Sequence, residues 1–143
     1  MILLDTSGVL SALDASDRRH AASAQALRDA VAPRILSPFV LAELDYVLAT
    51  RVSTRIQRSF LGEVAAGAYR LEAFDIEDIA EANAVLDRYP DLSLGIADAS
   101  LVVLARRHDV TDILTLDERH FRAVRAIGDR PFRILPADSE FDR

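Results

Sequence analysis

The chain has 143 residues, half of them apolar, and a formal net charge of −6 from 23 acids against 17 bases. This fits one globular domain with a genuine core and excludes both a two-domain protein and a disordered chain. There is no cysteine and no lysine, every base being arginine, which excludes disulfides, thiolate metal sites, a cysteine nucleophile, a P-loop and a Schiff-base lysine.

In chain order, residues 1–5 (MILLD) read as a short buried strand that ends on Asp5 and is followed by Thr6, Ser7 and Gly8. No apolar run approaches the roughly 18 residues of a membrane span, and Met1 leads straight into a strand, so a cytoplasmic protein that meets no membrane is expected. Gly8–Leu13 forms a helical turn, Asp14–Asp17 a polar break, and Arg19–Val31 an Ala-rich helix ended by Pro33. Arg34–Leu36 is a second strand. Ser37-Pro38 pairs a capping hydroxyl with a proline at the first helical position and starts a helix to about Ala49. Ser53 caps a further helix to about Ala66, stopped by Gly67, and Tyr69–Phe74 is a third strand.

Asp75 caps the next helix, whose Ile76, Ile79, Ala82, Leu86 and Tyr89 make an apolar stripe at helical spacing, and Pro90 ends it. After the loop Leu92–Gly95, the helix Ile96–Arg107 is apolar almost all round and therefore central. Ile113–Thr115 is a fourth strand, Glu118–Val124 a short helix and Phe132–Leu135 a last strand. From Pro136 the chain is a polar tail expected to fray. The fold class is α/β: a short parallel sheet of four to five strands flanked by helices, forming one domain over 1–136 with a polar tail at 137–143. Ligand sites in such sheets lie outside the carboxyl ends of the strands. Asp5 stands at one such end, and Asp117 two residues past another.

Most of the acids cap helices or lie in loops. Four resist that reading. Asp98 lies within the apolar helix, with Leu94, Leu101 and Val102 around it. Glu43 has Phe39, Val40, Tyr46 and Val47 on either side. An ionised carboxylate on such a face costs several kcal/mol unless it meets a cation or several donors. Asp5 and Asp117 end strands, where each could instead cap the following helix. A shared cluster around a divalent ion accommodates all four, and carboxylates with water select Mg²⁺ or Mn²⁺. Bound cations would also reconcile an acidic protein with a nucleic-acid substrate. Asp45 competes with Glu43: the two point to nearly opposite sides of their helix, so at most one faces the site, and periodicity does not choose. His20, His108 and His120 show no zinc-ligand spacing, and His120 alone is close to one of the four.

Four stretches, LLDTSGVLSAL, SPFVLAELDYVL, LGIADASLVVLARR and ILTLDERHF, follow in order over nearly the whole chain. In them the sequence resembles the PIN domain family, and more narrowly the VapC-type toxins of toxin–antitoxin pairs. The resemblance implies a PIN-like fold and a metal-dependent endoribonuclease. It implies site acids at Asp5, Glu43, Asp98 and Asp117, choosing Glu43 over Asp45, with Thr6 or Ser7 and Thr115 in support. It further implies one or two Mg²⁺ ions, with Asp5, Asp98 and Asp117 as ligands and Glu43 holding a water or a second ion. RNA products would carry 5′-phosphate and 3′-hydroxyl ends. The implied partners are a VapB-type antitoxin and a second copy in a homodimer. Arg51, Arg55 and Arg58, at i, i+4 and i+7, suggest a basic stripe for RNA beside the site helix. Two other classes fit the residues less well. A non-catalytic binding module leaves the intact set of acids unexplained. An aspartate-based phosphotransfer domain needs a lysine, and its phosphatase form wants an acid where Ser7 stands.

Overall fold

The computed structural model describes residues 1–139. A five-stranded, wholly parallel sheet runs in the order β3-β2-β1-β4-β7. Its strands are β1 (Ile2–Leu4), β2 (Arg34–Leu36), β3 (Arg70–Leu71), β4 (Asp112–Leu114) and β7 (Arg133–Leu135). Each is two or three residues long and almost wholly apolar in the middle of the sheet, as strands covered on both faces must be. Ile2, Leu3, Leu4, Ile35, Leu36, Ile113, Leu114 and Ile134 are completely buried or nearly so.

The helices are α1 (Thr6–Leu13), α2 (His20–Asp29), α3 (Pro38–Val47), α4 (Thr54–Ala65), α5 (Ile76–Arg88), α6 (Ile96–His108) and α7 (Glu118–Ala123). The capping signals are built as read. Ser37 Oγ accepts from Phe39 N with Pro38 at the first helical position, Ser53 Oγ accepts from Ile56 N, and Asp75 and Asp78 exchange reciprocal bonds. Helix α6 is central as expected, with Ala97 and the whole run Ala99–Ala105 buried.

The strands expected from the sequence are all present: β2 has the expected bounds, β4 is shifted back by one residue, and β1, β3 and β7 are shorter than expected. Elsewhere two expectations are corrected and one element is added. The helical turn expected at Gly8 begins earlier, so α1 follows Asp5 directly. Chain direction reverses after α7 in an antiparallel hairpin, β5 (Arg125–Ile127) with β6 (Arg130–Pro131), that was not anticipated. The stripe on α5 is rotated: Ala82 and Val85 are buried, while Ile76 is 88 % and Ile79 40 % exposed. Ala82, Val85, Leu86 and Tyr89 pack in or against the core, and on the first turn it is Asp78 that meets α6, bonding Arg107 at 2.9 Å.

The tail begins as a turn, in which Asp138 accepts from Ile134 N and pairs with Arg122 at 2.9 Å. The rest of the expected fraying tail, residues 140–143, lies outside the described residues. No helix among the described residues is long and apolar enough to cross a membrane.

Candidate active site

Strand order reverses at β1: successive connections run to β2 and β3 on one side, and the chain then returns to β4 on the other. The carboxyl ends of β1 and β4 are therefore the switch point where open α/β sheets bind ligands. Asp5 leaves β1 there and Thr115 leaves β4. Asp5 N–H donates to Leu114 O, and the first turn of α1 then crosses β4 so closely that only glycine fits at position 8. A Cβ there would stand 2.5 Å from Leu114 O.

Asp5 is buried, 6 % exposed, at the first residue before α1, yet its side chain makes no cap hydrogen bond to that helix. The strand-end carboxylate is thus free of the structural duty it could have had. Thr115 Oγ1 and Ser7 Oγ donate to its Oδ2 at 2.6 and 3.0 Å. The same two hydroxyls sew the loop after β4 in place, since Leu116 N donates to Ser7 Oγ and Asp117 N to Thr115 Oγ1. Ser7 therefore buttresses Asp5. Thr6 Oγ1 is buried, has no formed hydrogen bond and faces Glu43, whose ionised form it favours slightly.

Burial pushes the Asp5 carboxyl up to about 6; the Thr115 and Ser7 hydroxyls oppose this, and the charge of Asp98 adds to it. Among the described residues no arginine pairs with Asp5, Glu43 or Asp98. Glu43 is likewise raised, first by desolvation and then by Asp98. Asp98 is raised by burial and by Asp117, against the pull of Gly95 N–H and His120.

These three acids converge. Asp5, Glu43 and Asp98 line one cavity of about 440 Å³ together with Phe39, Ala42, Gly95, Ile96 and Ala97. Phe39, Ala42 and Glu43 share one face of α3 at i, i+3 and i+4. Asp45 lies elsewhere and accepts from Gln57 of α4 at 2.7 Å. Asp98 sits in the first turn of α6, where its Oδ2 accepts from Gly95 N at 3.1 Å. Asp117 does not line the cavity. It caps α7, accepting from His120 N through Oδ1, so for this acid the cap reading is realised. His120 Nδ1 lies 2.8 Å from Asp117 Oδ2 without the alignment of a hydrogen bond.

Arg51, Arg55 and Arg58 do not form the continuous helical stripe that their spacing suggests. The chain extends at Ser53 (φ −166°, ψ 155°), which separates Arg51, in a π-helical turn at Leu48–Val52, from Arg55 and Arg58 on α4. All three are exposed, and their side chains make no ion pair among the described residues. A second cavity, of about 310 Å³, opens near the other end of the sheet among Met1, Ile2, Ala26, Asp29 and Arg133. Its arginine is already paired with Asp112 at 3.1 Å.

The donor set fits a hard divalent cation: Asp5 is buried, Asp98 and Asp117 are half-buried, and no arginine pairs with any of the four acids among the described residues. Glu43 is exposed, so the full burial cost expected for it on an apolar helix face does not arise. Among the described residues, no three acids or histidines are already drawn around one point as a closed metal cage. Uncompensated carboxylates repel, and here two of them turn an oxygen back onto their own helix N-termini.

The residues that sequence reasoning did not single out are the apolar wall, Phe39, Ala42 and Ile96. No signal separates these from ordinary core positions until the fold is known.

The sequence model of the PIN domain matches residues 2–127. Ribonuclease VapC26 of Mycobacterium tuberculosis is 41 % identical over 135 residues, which is 94 % of this chain and all of that protein. The fold is shared with the crystal structure of VapC20 of Mycobacterium tuberculosis, described as a sarcin-ricin loop cleaving toxin. That match has a TM-score of 0.79 at 19 % identity and covers 92 % of this chain and 99 % of the other. VapBC2 of Rickettsia felis, solved with a promoter DNA fragment, matches at a TM-score of 0.65 and 17 % identity, over 94 % of this chain and 98 % of that one. With the family match over most of its length and the acids gathered at the switch point of its sheet, the chain belongs to the PIN domain family, in its VapC group.

Proposed function

We propose that the protein is a Mg²⁺-dependent endoribonuclease, with Mn²⁺ an alternative ion, acting as the toxin of a VapBC-type pair. In this reading it is cytoplasmic, forms a homodimer and is restrained by a VapB-type antitoxin. The observation that carries the reading is Asp5: a buried carboxylate with no arginine partner among the described residues, lining a cavity shared with Glu43 and Asp98. The name of the 41 % identical relative, a ribonuclease, supports the same chemistry.

Asp5, Asp98 and Asp117 would hold the ion, directly or through water, with Glu43 holding a water or a second ion. When bound, Mg²⁺ would supply charge neutralisation at the phosphate and lower the pKa of an attacking water. The chain's own residues prepare the site. Thr115 and Ser7 tie Oδ2 of Asp5, leaving Oδ1 without a side-chain donor. Gly95 N–H ties Oδ2 of Asp98, leaving Oδ1 uncommitted. Each acid is thus oriented through one oxygen and offers the other. Burial excludes water from Asp5, which strengthens any cation contact made there. Arg55 and Arg58 would contact the RNA backbone from α4.

The test is digestion of end-labelled RNA. Asp5→Asn and Asp98→Asn should each abolish Mg²⁺-dependent cleavage while keeping the native circular dichroism spectrum. Full cleavage by either purified variant would sink the assignment.

A further inference from the structure

We infer that the apolar half of the acid cavity seats one nucleobase of the RNA and holds it by stacking and shape, without reading its hydrogen-bonding edge. This rests on the ribonuclease reading and adds a specificity element to it. The cavity has two unlike sides. Asp5, Glu43 and Asp98 supply the acids; apart from them, the lining is Phe39, Ala42, Gly95, Ile96 and Ala97, none of which has a side-chain hydrogen-bonding group. Its volume, about 440 Å³, lies within the roughly 300–1,000 Å³ of small-molecule sites.

Ile96 is the outlier of its helix. It is 37 % exposed, whereas Ala97 and Ala99–Ala105 behind it are buried. Phe39 is held in place: its ring packs edge-on against Phe74 at 5.4 Å and 79°. Phe74 in turn lies under the Arg107 guanidinium, 5.1 Å from its centroid, and Arg107 is bonded to Asp78 and Glu72. The aromatic wall is therefore preorganised.

An occupant must satisfy both sides at once. An apolar peptide would bury three acids without compensation, at a cost of several kcal/mol. A nucleotide meets both: its phosphate lies with the cation-binding acids and its own base reaches the carbon wall. Unstacked RNA bases are commonly held on aromatic and apolar side chains.

The test uses fluorescein-labelled dodecamers of equal charge: riboadenylate, purine riboside (lacking only the edge amino group) and abasic ribose phosphate. Binding is followed by anisotropy with the wild-type protein in Ca²⁺, a cation of the same oxygen-ligand chemistry, and each oligomer is checked by gel to be uncut at the end of the titration. Base stacking in such sites predicts about tenfold tighter binding of riboadenylate than of the abasic oligomer. Riboadenylate and purine riboside should agree within about twofold. Ile96→Ser, a change at a partly exposed position, should weaken the base-bearing oligomers and leave the abasic one unchanged. Phe39→Leu, which keeps an apolar side chain but removes the ring, should act in the same direction.

Equal affinity for the base-bearing and abasic oligomers, or an Ile96→Ser effect of the same size on both, would overturn the seat. So would a change of oligomeric state in Ile96→Ser without base discrimination, because a second copy would then be the occupant. Failure of the seat is distinguishable from failure of the ribonuclease reading. In the first case wild-type protein still cleaves RNA in an Asp98-dependent way; in the second it does not.

Discussion

At the scale of single residues, Asp5 is the centre of the proposed chemistry, and its burial carries a cost. Its carboxyl is raised from 3.8 to about 6, so the folded protein holds a proton there more tightly than the unfolded chain does. Stability therefore falls as pH rises from about 4 through about 6, and the penalty is fully present above that. A shift of this size corresponds to about 3 kcal/mol as an upper figure. Asp5→Asn, whose amide oxygen can still accept from Thr115 and Ser7, should stabilise the metal-free protein at neutral pH by about 1–3 kcal/mol. The gain should fade towards pH 4, and thermal unfolding across that range checks it. An unchanged melting temperature at neutral pH would show that Asp5 is not held charged and unpaired. From the sequence, Asp5 was legible as a buried strand-end acid. Whether Thr6 or Ser7 supports it was not, because two adjacent hydroxyls differ only in which way the turn into α1 throws them. The backbone sends Ser7 to Thr115 and Thr6 towards Glu43.

At the scale of elements, the site depends on α1 being pressed onto the end of β4. A methyl group at position 8 would stand 2.5 Å from Leu114 O and 2.6 Å from Leu114 C, both backbone atoms of a central strand. Gly8→Ala should therefore cost about 3 kcal/mol or more in denaturant unfolding, and the displaced Thr115 should lower cleavage as well. Wild-type stability would show that the strand yields without penalty. Caps were the most legible part of the fold, because Ser37, Ser53 and Asp75 act through bonds within a few residues. The inward face of the first turn of α5 was not, since there Asp78, and neither isoleucine, meets a neighbouring helix, through Arg107. The basic stripe failed for a related reason: Ser53 ends one helix and caps the next, so continuous helical spacing does not apply across it.

At the scale of the whole molecule, the ribonuclease reading requires an acidic protein to bind a polyanion. The proposed solution is separation of labour, with acids gathered at the sheet's switch point and Arg55 and Arg58, exposed and without an ion pair among the described residues, on α4. If both touch single-stranded RNA phosphates, Arg55→Gln with Arg58→Gln should lower the log–log salt slope of binding by about 1.4, at roughly 0.7 per contact. An unchanged slope would place the RNA elsewhere. Parallel strands and a central α6 could be read from the pattern of apolar runs. Strand order could not, because it arises from long-range pairing. Nor could the β5–β6 hairpin, whose strands of three and two residues carry too little pattern.

The proposed activity depends on one claim, that the four acids hold a divalent ion. Calorimetric titration of the metal-free protein with Mn²⁺ or Mg²⁺ tests it most directly. The wild type should bind at millimolar concentration or below, and Asp5→Asn and Asp98→Asn should lose that binding while remaining folded. No binding by the wild type, or equal binding by all three proteins, would contradict the claim.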